Sequence, residues 1–138
     1  MNIEFRDGLL FTSIQITYNG VSKVIDNMVI DTGCARTLIV SEVVEEINIR
    51  VEPDDELIVC QGIGGTEVSF VKHIDLIKLE NIEFKNKDID FSNIDYEGIN
   101  GLIGLDLLIE AGIIIDLDKL KMHPRNENRS VSYTHLRA

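Results

Sequence analysis

Cysteine is scarce in this chain: Cys34 and Cys60 are the only two among 138 residues. Two thiols do not make a disulfide scaffold, and in a reducing compartment both are expected to stay free. Basic residues are also few, 13 Lys and Arg against 24 Asp and Glu, for a formal net charge of −11. With no basic tract to neutralise a phosphate backbone, nucleic acid is not an expected partner. The surplus is read as a solvated acidic surface, which opposes self-association at low salt and favours cationic peptides in any shared cleft. Long apolar runs are missing as well. The most apolar stretch, Leu102 to Ile115, is broken by Asp106, Glu110 and two glycines, too short a run to span a bilayer, so no membrane partner is expected. Met1 to Asp7 have neither the basic start nor the apolar run of a secretory signal, and the expected location is the cytoplasm. His73, His123 and His135 share no ligand spacing with one another or with the cysteines, so neither a metal nor another cofactor is expected. Gly62 to Glu67 lack the third glycine of a dinucleotide fingerprint and the Lys-Ser/Thr of a phosphate loop.

What is present is a chain that is 44% apolar, enough at this length to fill the core of one domain. Leu9 to Tyr18 alternate, with Ile14, Ile16 and Tyr18 on one face, as a half-buried strand does. Asn19-Gly20 is the favoured two-residue hairpin turn, and Val21 to Ile30 return as the partner strand. Ser41 is placed to cap a short helix over Glu42 to Ile47 with Val43, Val44 and Ile47 as its apolar stripe. Leu57 to Cys60 and Glu67 to Leu79 read as a long hairpin around a glycine turn. Asn81 to Gly98, whose apolar residues are irregularly spaced, reads as a short strand mixed with loop. Asp106 to Ala111 suits a short helix ended by Gly112, followed by closing strands over Ile113 to Leu117 and Leu120 to Met122. From Pro124 the apolar period is lost.

The most informative stretch is Met28-Val29-Ile30-Asp31-Thr32-Gly33, echoed seventy residues later by Gly101-Leu102-Ile103-Gly104. Apolar residues lead straight into Asp31, so its carboxylate is expected where a strand leaves the core, partly desolvated and held by a tight turn. A carboxylate so placed suits chemistry better than turn capping. Asp106 and Asp116, by contrast, read as a helix cap and a strand-end charge.

These landmarks, in this order and spacing, resemble an aspartic peptidase lobe of the single-lobe, retropepsin-like kind found in retroviral proteases and bacterial proteins. The resemblance runs from about Ile14 to His123. It rests on Val29-Ile30-Asp31-Thr32-Gly33 with Thr37 and Leu38-Ile39 following, on Gly62-Ile63-Gly64-Gly65 where the family has a flap, and on Leu102-Ile103-Gly104-Leu105-Asp106-Leu107-Leu108. It implies an all-β fold, a closed β-barrel with one or two short helices, over residues 1–123, with 124–138 as a polar tail.

The family's chemistry needs two carboxylates, and one Asp-Thr-Gly is present, so the resemblance implies a twofold homodimer in which Asp31 of each subunit meets the other. Water held between them attacks the peptide bond. Two carboxylates within hydrogen-bond reach cannot both ionise easily and share a proton, one acting as base to the water while the other donates to the carbonyl oxygen. By the same resemblance, Thr32 joins the two active loops through its hydroxyl, and Gly33 lets the backbone approach the carboxylate and donate to it. Ile63, Gly64 and Gly65 at the flap tip offer backbone groups to an extended peptide substrate. Cys34 stands where the family usually has Ala or Ser; a small buried residue is the expected role, with oxidation sensitivity as a hypothesis. The rival expectation is a non-catalytic peptide-binding or dimerisation module of the same fold.

Overall fold

The computed structural model describes residues 3–62 and 65–125. β1 (Glu4–Arg6) turns through Asp7-Gly8 into β2 (Leu9–Tyr18), which returns as β3 (Val21–Ile30). The turn between β2 and β3 is Asn19 at φ 49° and Gly20 at φ 81°. Both central residues are left-handed, the geometry that matches the twist of the flanking strands. Ile14, Ile16, Ile25 and Met28 point inward and are buried.

After β4 (Leu38–Val40), residues Ser41–Ile47 form a 3-10 helix that buries Val44 and Ile47. The expected Ser41 cap is not made: the capping position is Val40, without a side-chain hydrogen bond, and the helix ends on left-handed Asn48. β5 (Leu57–Gly62) and β6 (Gly65–Leu79) form the long hairpin, paired from Leu57↔Phe70 to Gly62↔Gly65. β7 (Ile82–Ser92) is a full strand of 11 residues where the sequence reading had a short strand and loop. Asn86 has φ 57°, and the Asp75–Asn86 pair drops out of a β6–β7 ladder whose register is the same on both sides, Ile74↔Lys87 and Leu76↔Lys85. Buried Phe84 on one side of Asn86 and buried Ile89 and Phe91 on the other are out of phase in sequence yet share the core. β8 (Gly101–Ile103), α1 (Leu105–Ala111) and the hairpin of β9 (Ile113–Asp116) and β10 (Lys121–Pro124) complete the chain. Gly112 ends α1 in the left-handed conformation at φ 61°, and β10 keeps its pairing up to Pro124 opposite Ile113.

The fold is all-β. Eight strands pair in the order β1-β2-β3-β8-β4-β7-β6-β5, and β2 also pairs with β6. β1 takes Leu9 to Phe11 of β2 while β6 takes Gln15 to Thr17, so the ladder from β2 through β3, β8, β4, β7 and β6 returns to β2. Inside this ring lie Ile16, Met28, Ile39, Ile77, Phe84, Phe91 and Ile103, and the Phe70 and Phe91 rings stack at 5.6 Å. Two pairings are parallel, β3 with β8 and β4 with β7. They place the ends of β3 and β8 side by side, and they start β4 beside the second half of β7. Residues Gly65 to Val68 pair with β5 alone, because β7 joins β6 only from Ser69; the hairpin tip thus extends past the ring. Its base is tied down by Lys72, a buried cation that pairs with Glu52 at 2.5 Å and Asp55 at 2.9 Å.

Candidate active site

β3 delivers Asp31 to the edge of the core. Ile30 is paired in register with Ile103 of β8, and Asp31 N–H continues that pairing by donating to the Ile103 carbonyl at 2.9 Å. The chain then leaves the sheet: Gly33 N–H donates to Asp31 Oδ1 at 2.9 Å, and Cys34 N–H donates to the Asp31 carbonyl at 3.2 Å. The Asp31 carboxylate is half-buried, while Thr32 and Gly33 are exposed beside it. A carboxylate fixed by its own loop's N–H and open on its outer side can meet a substrate or a second carboxylate.

The segment 101–104 passes directly beneath this loop. A Cβ on Gly104 would lie 2.8 Å from the Cys34 carbonyl oxygen and 2.8 Å from the Arg36 carbonyl carbon, and one on Gly101 would lie 2.4 Å from the Leu38 carbonyl oxygen. Glycine is needed at both for close passage, not for a left-handed φ. Leu105 N–H donates to the Cys34 carbonyl at 2.8 Å and Asp106 N–H to that of Ala35 at 3.2 Å, so the start of α1 grips the loop along its length.

Thr37, buried to 1% exposure, closes the loop. Its Oγ1 donates to Asp106 Oδ1 at 2.7 Å, its N–H donates to both Asp106 oxygens, and Oγ1 accepts from Gly104 N–H at 3.1 Å. Asp106 also accepts from Leu107 N–H within its own helix at 2.9 Å. The sequence reading of Asp106 as a helix cap does not hold, because Gly104 occupies the capping position of α1 without a side-chain hydrogen bond and Asp106 lies in the first turn; its role, holding Thr37, comes from a contact 69 residues away in the chain that no local pattern encodes. Asp116 accepts from Asp118 and Lys119 N–H as a strand-end turn acceptor.

Cys34 is half-buried and its thiol donates to the Arg36 carbonyl at 2.9 Å. Burial pushes the thiol above its ordinary range, and the charges of Asp31, Asp106 and Asp90 push the same way. Arg36 and Asp90 form a further ion pair that sequence reasoning missed: Arg36 Nη2 donates to Asp90 Oδ1 at 2.6 Å and Nε to Oδ2 at 2.9 Å. The available signal was Asp90, a carboxylate set between the apolar Ile89 and Phe91.

Of the flap residues named from sequence, Gly65 opens β6 opposite Gly62, and Ile63 and Gly64 lie outside the described residues. Tyr96, in the loop after β7, hydrogen-bonds Glu67 of β6; burial and the Glu67 and Cys34 charges push its phenol up. Val59 and Val68, a directly opposed pair on the hairpin, are exposed at 59% and 39%. Among the described residues, no group of three or more His, Cys, Asp or Glu side chains is disposed to hold a metal ion, and no helix is long and apolar enough to cross a membrane.

No curated protein matches this chain in sequence. Among solved structures, the crystal structure of a retropepsin-like aspartic protease from Rickettsia conorii matches with a TM-score of 0.64 at 19% identity, over 86% of this chain and 92% of that one. The likeness is one of fold. The sequence family described as aspartyl protease matches residues 14–107, a span that holds the Asp31 loop, the hairpin and the 101–106 segment beneath the loop. The chain belongs to the aspartyl protease family.

Proposed function

We propose that this protein is an aspartic endopeptidase, active as a homodimer, in which water bound between the Asp31 carboxylates of two subunits hydrolyses a peptide bond. The observation that carries this reading is the placement of Asp31: fixed by N–H donation from Gly33 at 2.9 Å and by the Ile103 carbonyl behind it, yet open on the side away from its own core. One subunit supplies one such group, and the chemistry uses a pair. Two like charges at hydrogen-bond distance hold one proton between them, which belongs to the pair and not to either residue. The ionised partner takes a proton from water as it attacks, and the protonated partner donates to the carbonyl oxygen. No covalent intermediate forms.

Thr32 stands exposed at the turn, where its hydroxyl is free to reach the loop of a second subunit. Gly65 and the exposed Val59-Val68 pair support a hairpin that closes over an extended peptide, contributing backbone groups in the manner of an added strand. The catalytic unit is proposed as residues 1–123 and the tail as 124–138, although β10 keeps Pro124 in the fold; residues 126–138 lie outside the described residues. A cytoplasmic place of action is part of this proposal.

The test is cleavage of a mixed peptide library by the wild type and by Asp31→Asn. The variant is close to isosteric and is expected to lose cleavage while keeping its fold and its association. Activity retained in Asp31→Asn would remove this mechanism, and a dimer that cuts no peptide would favour the binding-module reading.

A further inference from the structure

The loop that presents Asp31 is gripped on one side by β8 and α1, through the Cys34 and Ala35 carbonyls and Thr37. On its other side it faces β7, and there a single residue makes both contacts. Asp90 N–H donates to the Thr37 carbonyl at 3.3 Å, and the Asp90 carboxylate takes the Arg36 guanidinium at 2.6 Å and 2.9 Å. Asp90 thus holds two consecutive residues of the loop, at the point where parallel pairing of β4 with β7 begins at Leu38↔Asp90. The Arg36 backbone cannot shift the other way, since Gly104 packs directly against its carbonyl.

Asp90 is a costly residue in that position. Its side chain is 11% exposed, and a carboxylate removed from water needs a partner that returns what hydration supplied. A planar guanidinium does so with two parallel donors, which a lysine cannot reproduce. The Arg36 side chain is itself 51% exposed, so the pair is only partly shielded from water, and its two-point geometry is better explained by direction than by stability: it fixes the loop in one orientation. Asp90 also opposes Val71 of β6, and Val71 N–H donates to the Glu56 carbonyl at the foot of β5. The pair therefore links the active loop to the base of the hairpin.

We propose that Arg36 and Asp90 are positioning residues for catalysis, holding the Asp31 loop at the spacing that the shared carboxylate pair requires. This rests on the peptidase reading above. Neither touches the reacting atoms. A displacement near 1 Å from a site outside the chemistry is enough for a loss on the order of 100-fold, so the expected effect of releasing the loop falls on kcat and leaves KM near its wild-type value.

Stability and positioning are separated by a pair of variants. Arg36→Met alone leaves a buried unpaired carboxylate and is expected to lower both Tm and kcat. Adding Asp90→Asn removes the stranded charge, so the double variant should recover most of the Tm while kcat stays about 10- to 100-fold down. Arg36→Lys should lie between them. A double variant that recovers kcat along with Tm would overturn the proposal, because the pair would then serve the fold alone. Amide hydrogen exchange on the same proteins gives a readout that needs no substrate. Gly33 and Cys34 N–H are expected to exchange about 10-fold faster or more in the double variant, with β2 and β3 amides unchanged; unchanged exchange at Gly33 and Cys34 would overturn the proposal even if the wild type cuts no peptide, an outcome that by itself would remove only the peptidase reading.

Discussion

The Thr37 hydroxyl donates to Asp106 Oδ1 at 2.7 Å across 69 residues of sequence, and through that bond the loop carrying Asp31 and the helix that follows β8 become one unit. Thr37 N–H reaches the same carboxylate, so Asp106 serves two donors from one buried residue. Removing the carboxylate leaves both without a partner. Asp106→Ala is expected to cost about 3 kcal/mol, and Asp106→Asn about 1 kcal/mol because one acceptor remains. Urea denaturation of the two variants checks the order; equal losses would mean that the bonds to Thr37 contribute little.

The glycines beneath the loop give a second, steric prediction. Gly101→Ala places a methyl 2.4 Å from the Leu38 carbonyl oxygen, and Gly104→Ala places one 2.8 Å from two backbone atoms of the active loop. Neither neighbour is a flexible side-chain end, so strands must move apart. A loss of about 3 kcal/mol is expected for Gly101→Ala and about 2 kcal/mol for Gly104→Ala, the latter with a further fall in kcat because the shift lands on the loop itself. Gly20→Ala, whose Cβ meets nothing within 4 Å but whose φ is +81°, should cost about 1 kcal/mol from backbone strain and leave kcat intact.

Much of this arrangement was legible in the sequence. The β2-β3 hairpin was announced by Asn19-Gly20 between alternating strands, and α1 by an apolar stripe closed with Gly112, both signals contained within a few residues. The Asp31 turn and the 101–104 segment were legible for the same reason: each is a local apolar run ending on a residue that a strand core excludes. The length of β7 was hidden because the apolar alternation changes phase between Phe84 and Ile89, across Asn86. The Ser41 cap failed since Val40, paired in β4, already occupies the capping position. The ties from Thr37 to Asp106 and from Arg36 to Asp90 depend on which strands lie side by side, which residue spacing along the chain does not record.

A pH dependence follows from the buried Lys72 cluster. Burial alone would raise the Asp55 carboxyl, but hydrogen bonds from Lys72 and Glu52 N–H, with the Lys72 charge, take it below its ordinary value. Burial alone would lower the Lys72 ammonium, and the bonds to Asp55 and Glu52 take it above. A depressed carboxyl stabilises above its unfolded pKa of about 3.9 and that contribution is lost as pH falls through the folded value; a raised ammonium stabilises below about 10.4 and is lost as pH rises through its folded value. The cluster is therefore fully present between about pH 5 and pH 9. Lys72→Met should lower Tm in that window, and the gap from wild type should close as pH is taken down from about 5. A gap independent of pH would assign the effect of Lys72 to packing.

Cys34 lies three residues from Asp31, yet its raised thiol pKa keeps it protonated at neutral pH, and the thiolate is the reactive form. Iodoacetamide should alkylate it more slowly than it alkylates free glutathione at pH 7. Because the Asp31 charge contributes to the upward shift, Asp31→Asn should speed the reaction. Peptide mapping by mass spectrometry follows both. Alkylation as fast as glutathione's would reopen oxidation of Cys34 as a control on activity.

If two subunits share one catalytic pair, mixing active and inactive chains must abolish cleavage. Wild-type protein is titrated with a growing excess of Asp31→Asn protein at constant wild-type concentration, with solution mass and peptide cleavage read on each sample. Exchange of subunits should draw wild-type chains into mixed dimers that hold one Asp31, so cleavage should fall toward zero as the excess grows while the dimer mass is unchanged. Cleavage that stays constant through a ten-fold excess, in samples where mass or labelled subunits prove exchange, would contradict the shared pair and place the chemistry within a single chain.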